Sequence, residues 1–228
     1  QNYAHGQQVS RYFKETMARK RPDVKIVGDD LHPLGQVKDF APFVAKIKAA
    51  GADSIVTGNW GQDLALLVKA AKDAGLNANF YTYYAGVSGT PTALASGVGG
   101  KVRQVAIMDY STPGIARTWQ NEYKAKFNDD WYTGQTYNGI AMLAAGMAAA
   151  KSVDPVAVAK AMSGIKFQGF NGEVEMRRAD HQLQQPMMIS EWRKADAKNP
   201  YSVENTGFNF VTVKAIPCLL YTSDAADE

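Results

Sequence analysis

A chain of 228 residues has room for one large or two small domains. Its 46% hydrophobic and 21% charged residues are ordinary globular proportions, and no apolar run approaches the ~18 residues of a membrane-spanning helix. The formal charge is +3, but the last stretch, Cys218 to Glu228, reads like translated sequencing-adapter sequence; without its Asp224, Asp227 and Glu228, three acids fewer, +3 becomes +6. The same stretch holds the single cysteine, so the rest of the chain excludes a thiol nucleophile and a disulfide and suits an oxidising compartment.

The chain opens on Gln1-Asn2-Tyr3-Ala4-His5-Gly6 and runs straight into a helical pattern, with no Met and no strand before it. It is expected to be a piece whose beginning is missing. From Gln7 to about Lys20 the apolar positions Val9, Phe13 and Met17 mark one helical face, and Pro22 stops the helix. Val24 to Gly28 reads as a strand and Asp29 to Lys38 as a loop. Asp39 is placed to cap the next helix, whose inner face is Phe40, Phe43, Val44 and Ile47, with Gly51 at its end.

Ser54 to Thr57 is short and rich in β-branched residues, a buried strand. Gly58-Asn59-Trp60-Gly61 is turn chemistry around a large aromatic, and Leu64, Leu67, Val68 and Ala71 follow at helical spacing up to Gly75. Asn79 to Tyr84 is a second β-rich run, followed by a Gly-, Ser- and Pro-containing loop, a short helix and the strand Val102 to Ile107. This alternation predicts a parallel sheet with right-handed crossovers, whose carboxyl-end loops face a ligand crevice.

Beyond the polar connection Met108 to Gly114 the helices come in succession. Ala116, Trp119, Tyr123 and Phe127 line the first as core; Tyr137, Ile140, Ala144, Met147 and Ala148 line a second, Ala-rich one; Asp154-Pro155 caps a third. Gly169 to Met188 reads as turns and extended chain, Met188 to Arg193 and Gly207 to Lys214 as strands. Three successive helices need a sheet to lie on, and none is visible for them, so the Tyr137 to Ala150 helix is expected to expose an apolar stripe.

The three histidines, His5, His32 and His181, lie far apart with no metal spacing, and no nucleophile elbow or phosphate loop is present. Gly97 to Gly100 precedes a strand, which argues against a dinucleotide cofactor. Asp29-Asp30 and Asn128-Asp129-Asp130 read as solvated turns. Arg19-Lys20-Arg21 sits at a helix C-terminus, where cations complement the macrodipole, and no aromatic–basic interleaving points to nucleic acid. Tyr3, Trp60, Tyr83 and Tyr84 fall instead at loops and strand ends on one predicted sheet edge. Flat faces with hydroxyl or indole donors are what a small-molecule cleft uses.

In order and spacing, Tyr3-Ala4-His5-Gly6 before a helix, Asp39-Phe40 opening the next, Ala52-Asp53 leading into a strand, Asp73-Ala74-Gly75 at a helix end, Gly169 to Met176, and Asp180 to Pro186 resemble the substrate-binding proteins of ABC transporters for branched-chain amino acids. The resemblance covers Gln1 to about Pro217. It implies the two-lobe α/β fold of type I periplasmic binding proteins, with one lobe complete, a parallel sheet flanked by helices, and the other lacking its N-terminal sheet. Residues 1–107 then correspond to lobe two, 108–187 to the C-terminal part of lobe one, 188–217 to a hinge crossing and return to lobe two, and 218–228 to a non-native tail.

The resemblance also implies ligand contacts at Tyr3, at Trp60 or the adjacent Asn59, and at Tyr84 or, with a register shift of one, Tyr83. The last place often carries an acid that pairs the substrate's α-ammonium. A tyrosine cannot supply that charge, so the expected ligand is a small amino-acid-like molecule, amide or carboxylate, aromatic ones included, without a free ammonium. The expected protein is a monomeric, non-enzymatic, periplasmic component that closes on its ligand and docks on a permease, with no cofactor, metal or nucleic acid. A ligand-sensing domain of the same fold and an α/β enzyme acting on amides or carboxylates are the competing readings.

Overall fold

The computed structural model describes residues 1–87, 89–97, 101–112 and 114–217; the adapter-like tail lies outside the described residues. The chain divides into two units, 1–105 with 191–210 and 106–190 with the residues from 211 onward.

The first unit contains α1 (Ala4–Lys20), α2 (Ala41–Ala49), β1 (Ser54–Thr57), α3 (Gly61–Asp73), β2 (Asn79–Thr82), α4 (Thr90–Ala95) and most of β3 (Val102–Ala106). β1 and β2 are parallel, with Ile55 opposite Phe80, and β2 and β3 are parallel, with Phe80 opposite Val102. Because side chains alternate along a strand, this register lays Ile55, Phe80 and Val102 in one row on one face. Phe40 and Val44 of α2, Leu64, Leu67 and Val68 of α3, and Leu94 of α4 complete the core against that row. On the other face Tyr81 stands opposite Arg103, whose guanidinium lies 5.6 Å from the Tyr81 ring and bonds Glu191 at 2.9 Å.

Residues 24–28 form no strand, contrary to the pattern: Val24, Ile26 and Val27 are exposed. A strand exists only by pairing, and β1 stands at the edge of its sheet with β2 as its neighbour. Asp39 is not the N-cap of the next helix; Phe40 is, and its side chain makes no capping bond. The helix begins at Ala41, with the Asp39 carboxylate accepting the Ala41 amide at 2.8 Å, and Phe40 turns into the core.

The second unit contains α5 (Ile115–Phe127), α6 (Gly134–Ala150), α7 (Pro155–Met162) and an antiparallel sheet of β4 (Lys166–Gly169), β5 (Gly172–Met176) and β6 (Leu183–Gln184). This small sheet replaces the turns and extended chain expected there. Asp154 caps α7 as predicted, accepting the Ala157 amide at 2.8 Å. The buried line of α6 is Gly134, Asn138, Met142 and Gly146, four residues apart; Gly146 leaves room for Met162 and Val158 of α7 that a Cβ would fill. Ile140, Leu143 and Met147 are exposed, Ile140 to 65%. Asn138 is fully buried, accepting the Phe170 amide and donating to Asn171 and Gln185.

Two further expectations fail here. Phe127 is 54% exposed because it is the last residue of α5, where Asn128 turns the backbone left-handed; its ring meets Tyr123 at 4.7 Å. Asp130 is buried instead of solvated, bonded by Lys124 at 2.9 Å, because a buried carboxylate needs a cationic partner. Three strands carry the chain from one unit to the other: β3 at 105–106, β7 (Met187–Lys194) at 190–191 and β8 (Phe208–Ile216) at 210–211.

Candidate functional site

Parallel pairing of β1 and β2, with Thr57 opposite Thr82, brings the residues after both strands to the same edge of the first unit's sheet. Asn59 and Trp60 follow β1, and Tyr83 and Tyr84 follow β2. α1 starts beside them, with Tyr3 as its N-cap residue, and α3 starts at Trp60 as its own. Neither helix start is capped by a side chain, so both leave partial positive charge at this edge.

Trp60 is 44% exposed, and its indole Nε1–H donates to the Tyr3 hydroxyl at 2.9 Å. The Tyr3 ring lies 5.9 Å from the ring of His5, the second residue of α1. His5 in turn meets Tyr84 at 5.7 Å and Tyr83 at 6.4 Å, both edge to face. The predicted Trp60, Tyr3 and Tyr84 are therefore joined in a chain through His5, with Tyr83 behind it. Tyr84 is 38% exposed; Tyr83 is half-buried, and burial, then the neighbouring Tyr84, pushes its phenol above the ordinary range. This rim carries no carboxylate and no ammonium on its own side chains.

Asn59 occupies a different place. It is 3% exposed, and its side-chain oxygen is taken by the Gln1 nitrogen at 3.1 Å and by His32 Nε2 at 3.0 Å. Beneath it Asp63, also 3% exposed, accepts from Gln1 Nε2 at 2.8 Å and from the Gly35 amide at 2.9 Å. Asn59 and Asp63 thus form a polar cradle that holds the Trp60 loop from below, and neither is presented at the rim. The tyrosine wall has its own fastening: Glu204, in a left-handed conformation (φ 48°), accepts from the amides of Gly89 and Thr92 and from the Thr92 hydroxyl, fixing the start of α4.

Sequence reasoning missed His5 as a member of this rim. The signal available was its position two residues after Tyr3, together with a glycine at 58. A Cβ on Gly58 would come within 3.3 Å of His5 Nε2 and 3.1 Å of Val9 Cγ2, so the glycine is what admits the imidazole. Among the described residues no group of three His, Cys, Asp or Glu is placed to hold a metal ion, and no single helix is long and apolar enough to cross a membrane.

The carboxyl edge of a parallel α/β sheet is where such folds commonly place small-molecule sites, and the chain belongs to the periplasmic binding protein family, whose profile matches residues 1–198. Its fold is the type I fold of that family. Among curated relatives, the Leu/Ile/Val-binding protein homolog 4 of Brucella melitensis is 31% identical across 94% of this chain and 52% of its own length. The chain spans about half the length of the curated relatives it matches. The leucine-, isoleucine-, valine-, threonine- and alanine-binding protein of Brucella ovis, solved in a closed conformation, superposes with a TM-score of 0.83 at 26% identity, over 95% of this chain and 56% of that one. A solute-binding protein of an ABC transporter from Rhodopseudomonas palustris, solved with p-hydroxybenzoic acid, gives 0.76 at 20% identity, over 95% and 58%.

Proposed function

We propose that this chain supplies one wall of the ligand site in the periplasmic, solute-binding component of an ABC importer. The protein works as a monomer without catalysis or cofactor, captures its ligand by lobe closure and delivers it to a membrane permease. In this reading residues 1–107 belong to lobe two, 108–187 to lobe one, and 188–217 to the crossing and return. The ligand contacts are Tyr3, Trp60, Tyr84 and the half-buried Tyr83, with Asn59 supporting the loop from beneath.

One observation carries the ligand class: the rim from Trp60 through Tyr3 and His5 to Tyr84 is aromatic and without a carboxylate, while Asp63 is buried and occupied. An α-ammonium set against this wall would lose water and gain no ion pair. A flat carboxylate or amide gains ring contact and hydrogen bonds instead. The hydroxybenzoate bound by the Rhodopseudomonas protein makes benzoates the first compounds to try. Titration calorimetry of the complete protein with leucine, valine, benzoate and 4-hydroxybenzoate tests the reading. Micromolar or tighter binding of a benzoate is expected; tight leucine binding without binding of any aromatic acid overturns the ligand class.

A further inference from the structure

We infer that the Tyr3 hydroxyl is a fixed hydrogen-bond donor toward ligand, with Trp60 and His5 as the residues that position it, so that this wall selects an oxygen acceptor. The inference rests on the binding reading above but concerns the polarity of one atom in the site.

An indole Nε1–H can only donate, so in the 2.9 Å contact the Tyr3 oxygen is the acceptor. A phenol has one proton, which prefers the plane of the ring and has two directions there. Trp60 fills one of them with its own N–H. The Tyr3 proton is left the other, and the accepted bond polarises the O–H and strengthens it as a donor.

The ring that carries this hydroxyl is itself held. Its backbone is fixed at the start of α1, where the Tyr3 amide donates to the Gln1 carbonyl and the Tyr3 carbonyl accepts from the Gln7 amide, both at 3.0 Å. Its inner side faces the imidazole of His5, which reaches Tyr84 as well and packs against Gly58 where no side chain intervenes. Unlike a free tyrosine, whose hydroxyl turns to suit donor or acceptor, Tyr3 then reads polarity. A carboxylate, carbonyl or phenolate oxygen is matched, and an ammonium, which can only donate, is not.

Calorimetry on the complete protein with benzoate and with benzylamine separates these cases, with circular dichroism to confirm each variant's fold. Wild type is expected to bind benzoate at least a hundredfold more tightly than benzylamine. Tyr3→Phe keeps the ring and should lose tenfold or more of the benzoate affinity. Trp60→Phe keeps an aromatic face but frees the Tyr3 proton; it should lose about threefold to fivefold and narrow the benzoate-to-benzylamine ratio. His5→Ala should lose a similar amount, restored to within twofold by His5→Phe. The indole 1H–15N resonance of Trp60 should move in Tyr3→Phe, a change that lost packing elsewhere would not produce.

Wild-type benzoate affinity in Tyr3→Phe overturns the inference while leaving the binding reading intact. A wild type that prefers leucine overturns the ligand class above; the same Tyr3→Phe comparison, read on leucine's carboxylate, then upholds the donor if affinity falls tenfold and sinks it if affinity holds. A protein that binds none of these compounds overturns both.

Discussion

α3 and α6 are both apolar helices, and they bury themselves by different means. α3 lays Leu64, Leu67, Val68 and Ala71 on a parallel sheet, and its apolar stripe disappears completely into the core. α6 turns glycine, asparagine and methionine inward and leaves Ile140, Leu143 and Met147 outside. In the first unit stability comes from area removed from water. In the second it comes from close approach at Gly134 and Gly146 and from an amide network centred on Asn138. The difference shows that an apolar stripe on a helix states a need for cover, while the residues that meet that need lie elsewhere in the chain.

Substitutions can break this contrast. Leu64→Ala should cost the most, about 4 kcal/mol, since Leu64 is wholly buried against a sheet that cannot collapse onto the void; urea unfolding checks it, and a loss under 1 kcal/mol would mean the core is loosely packed. Asn138→Ala should cost about 3 kcal/mol, because it strands the buried Phe170 amide and the buried Asn171 side-chain oxygen. The cost should largely persist in Asn138→Leu, which refills the volume without the hydrogen bonds. If Leu restores stability, packing and not the network is what matters in the second unit.

The exposed stripe sharpens the comparison from the other side. Ile140→Gln with Leu143→Gln should change the unfolding free energy by under about 1 kcal/mol and reduce self-association of residues 1–217 in sedimentation velocity. A large destabilisation would show that the stripe is covered after all.

The smallest effect is electrostatic. The Arg177 guanidinium, with help from the Gln182 amide, pulls the exposed Asp180 carboxyl down to about 2. A depressed carboxyl pKa contributes stability that is present above its ordinary value near 4 and fades as pH falls through about 2. Carbon-detected NMR titration should place the Asp180 midpoint near 2, and in Arg177→Gln should return it toward the ordinary range; an unchanged midpoint would assign the shift to the turn's backbone.

Elements whose burial is local in the sequence were legible. β1, α3, β2, β7 and β8 each carry their own period, and the Asp154 cap needs only three residues to be read. What depended on a distant partner was not. Residues 24–28 have the composition of a strand, yet strand formation is decided by what pairs with them. β4, β5 and β6 are short and polar on one face, and they make sense only once Phe167 is set opposite Val174. Asp130 looked solvated until Lys124 reached it. At the candidate site the aromatic residues could be named from their place at strand ends, since a ring in a loop has no helical stripe to belong to. Asn59's inward role and His5's place among the tyrosines rest on Gln1, His32 and Gly58, contacts that no spacing rule encodes.

Glu204 holds Gly89 and Thr92 from more than a hundred positions downstream, and it does so from a backbone shape that L-residues seldom take. The segment bearing Tyr83 and Tyr84 is thereby moored to the returning part of the chain. A lineage could retune that ligand-facing wall by changing the mooring alone, keeping every ring in place, and a search for specificity changes confined to residues near the rings would overlook it.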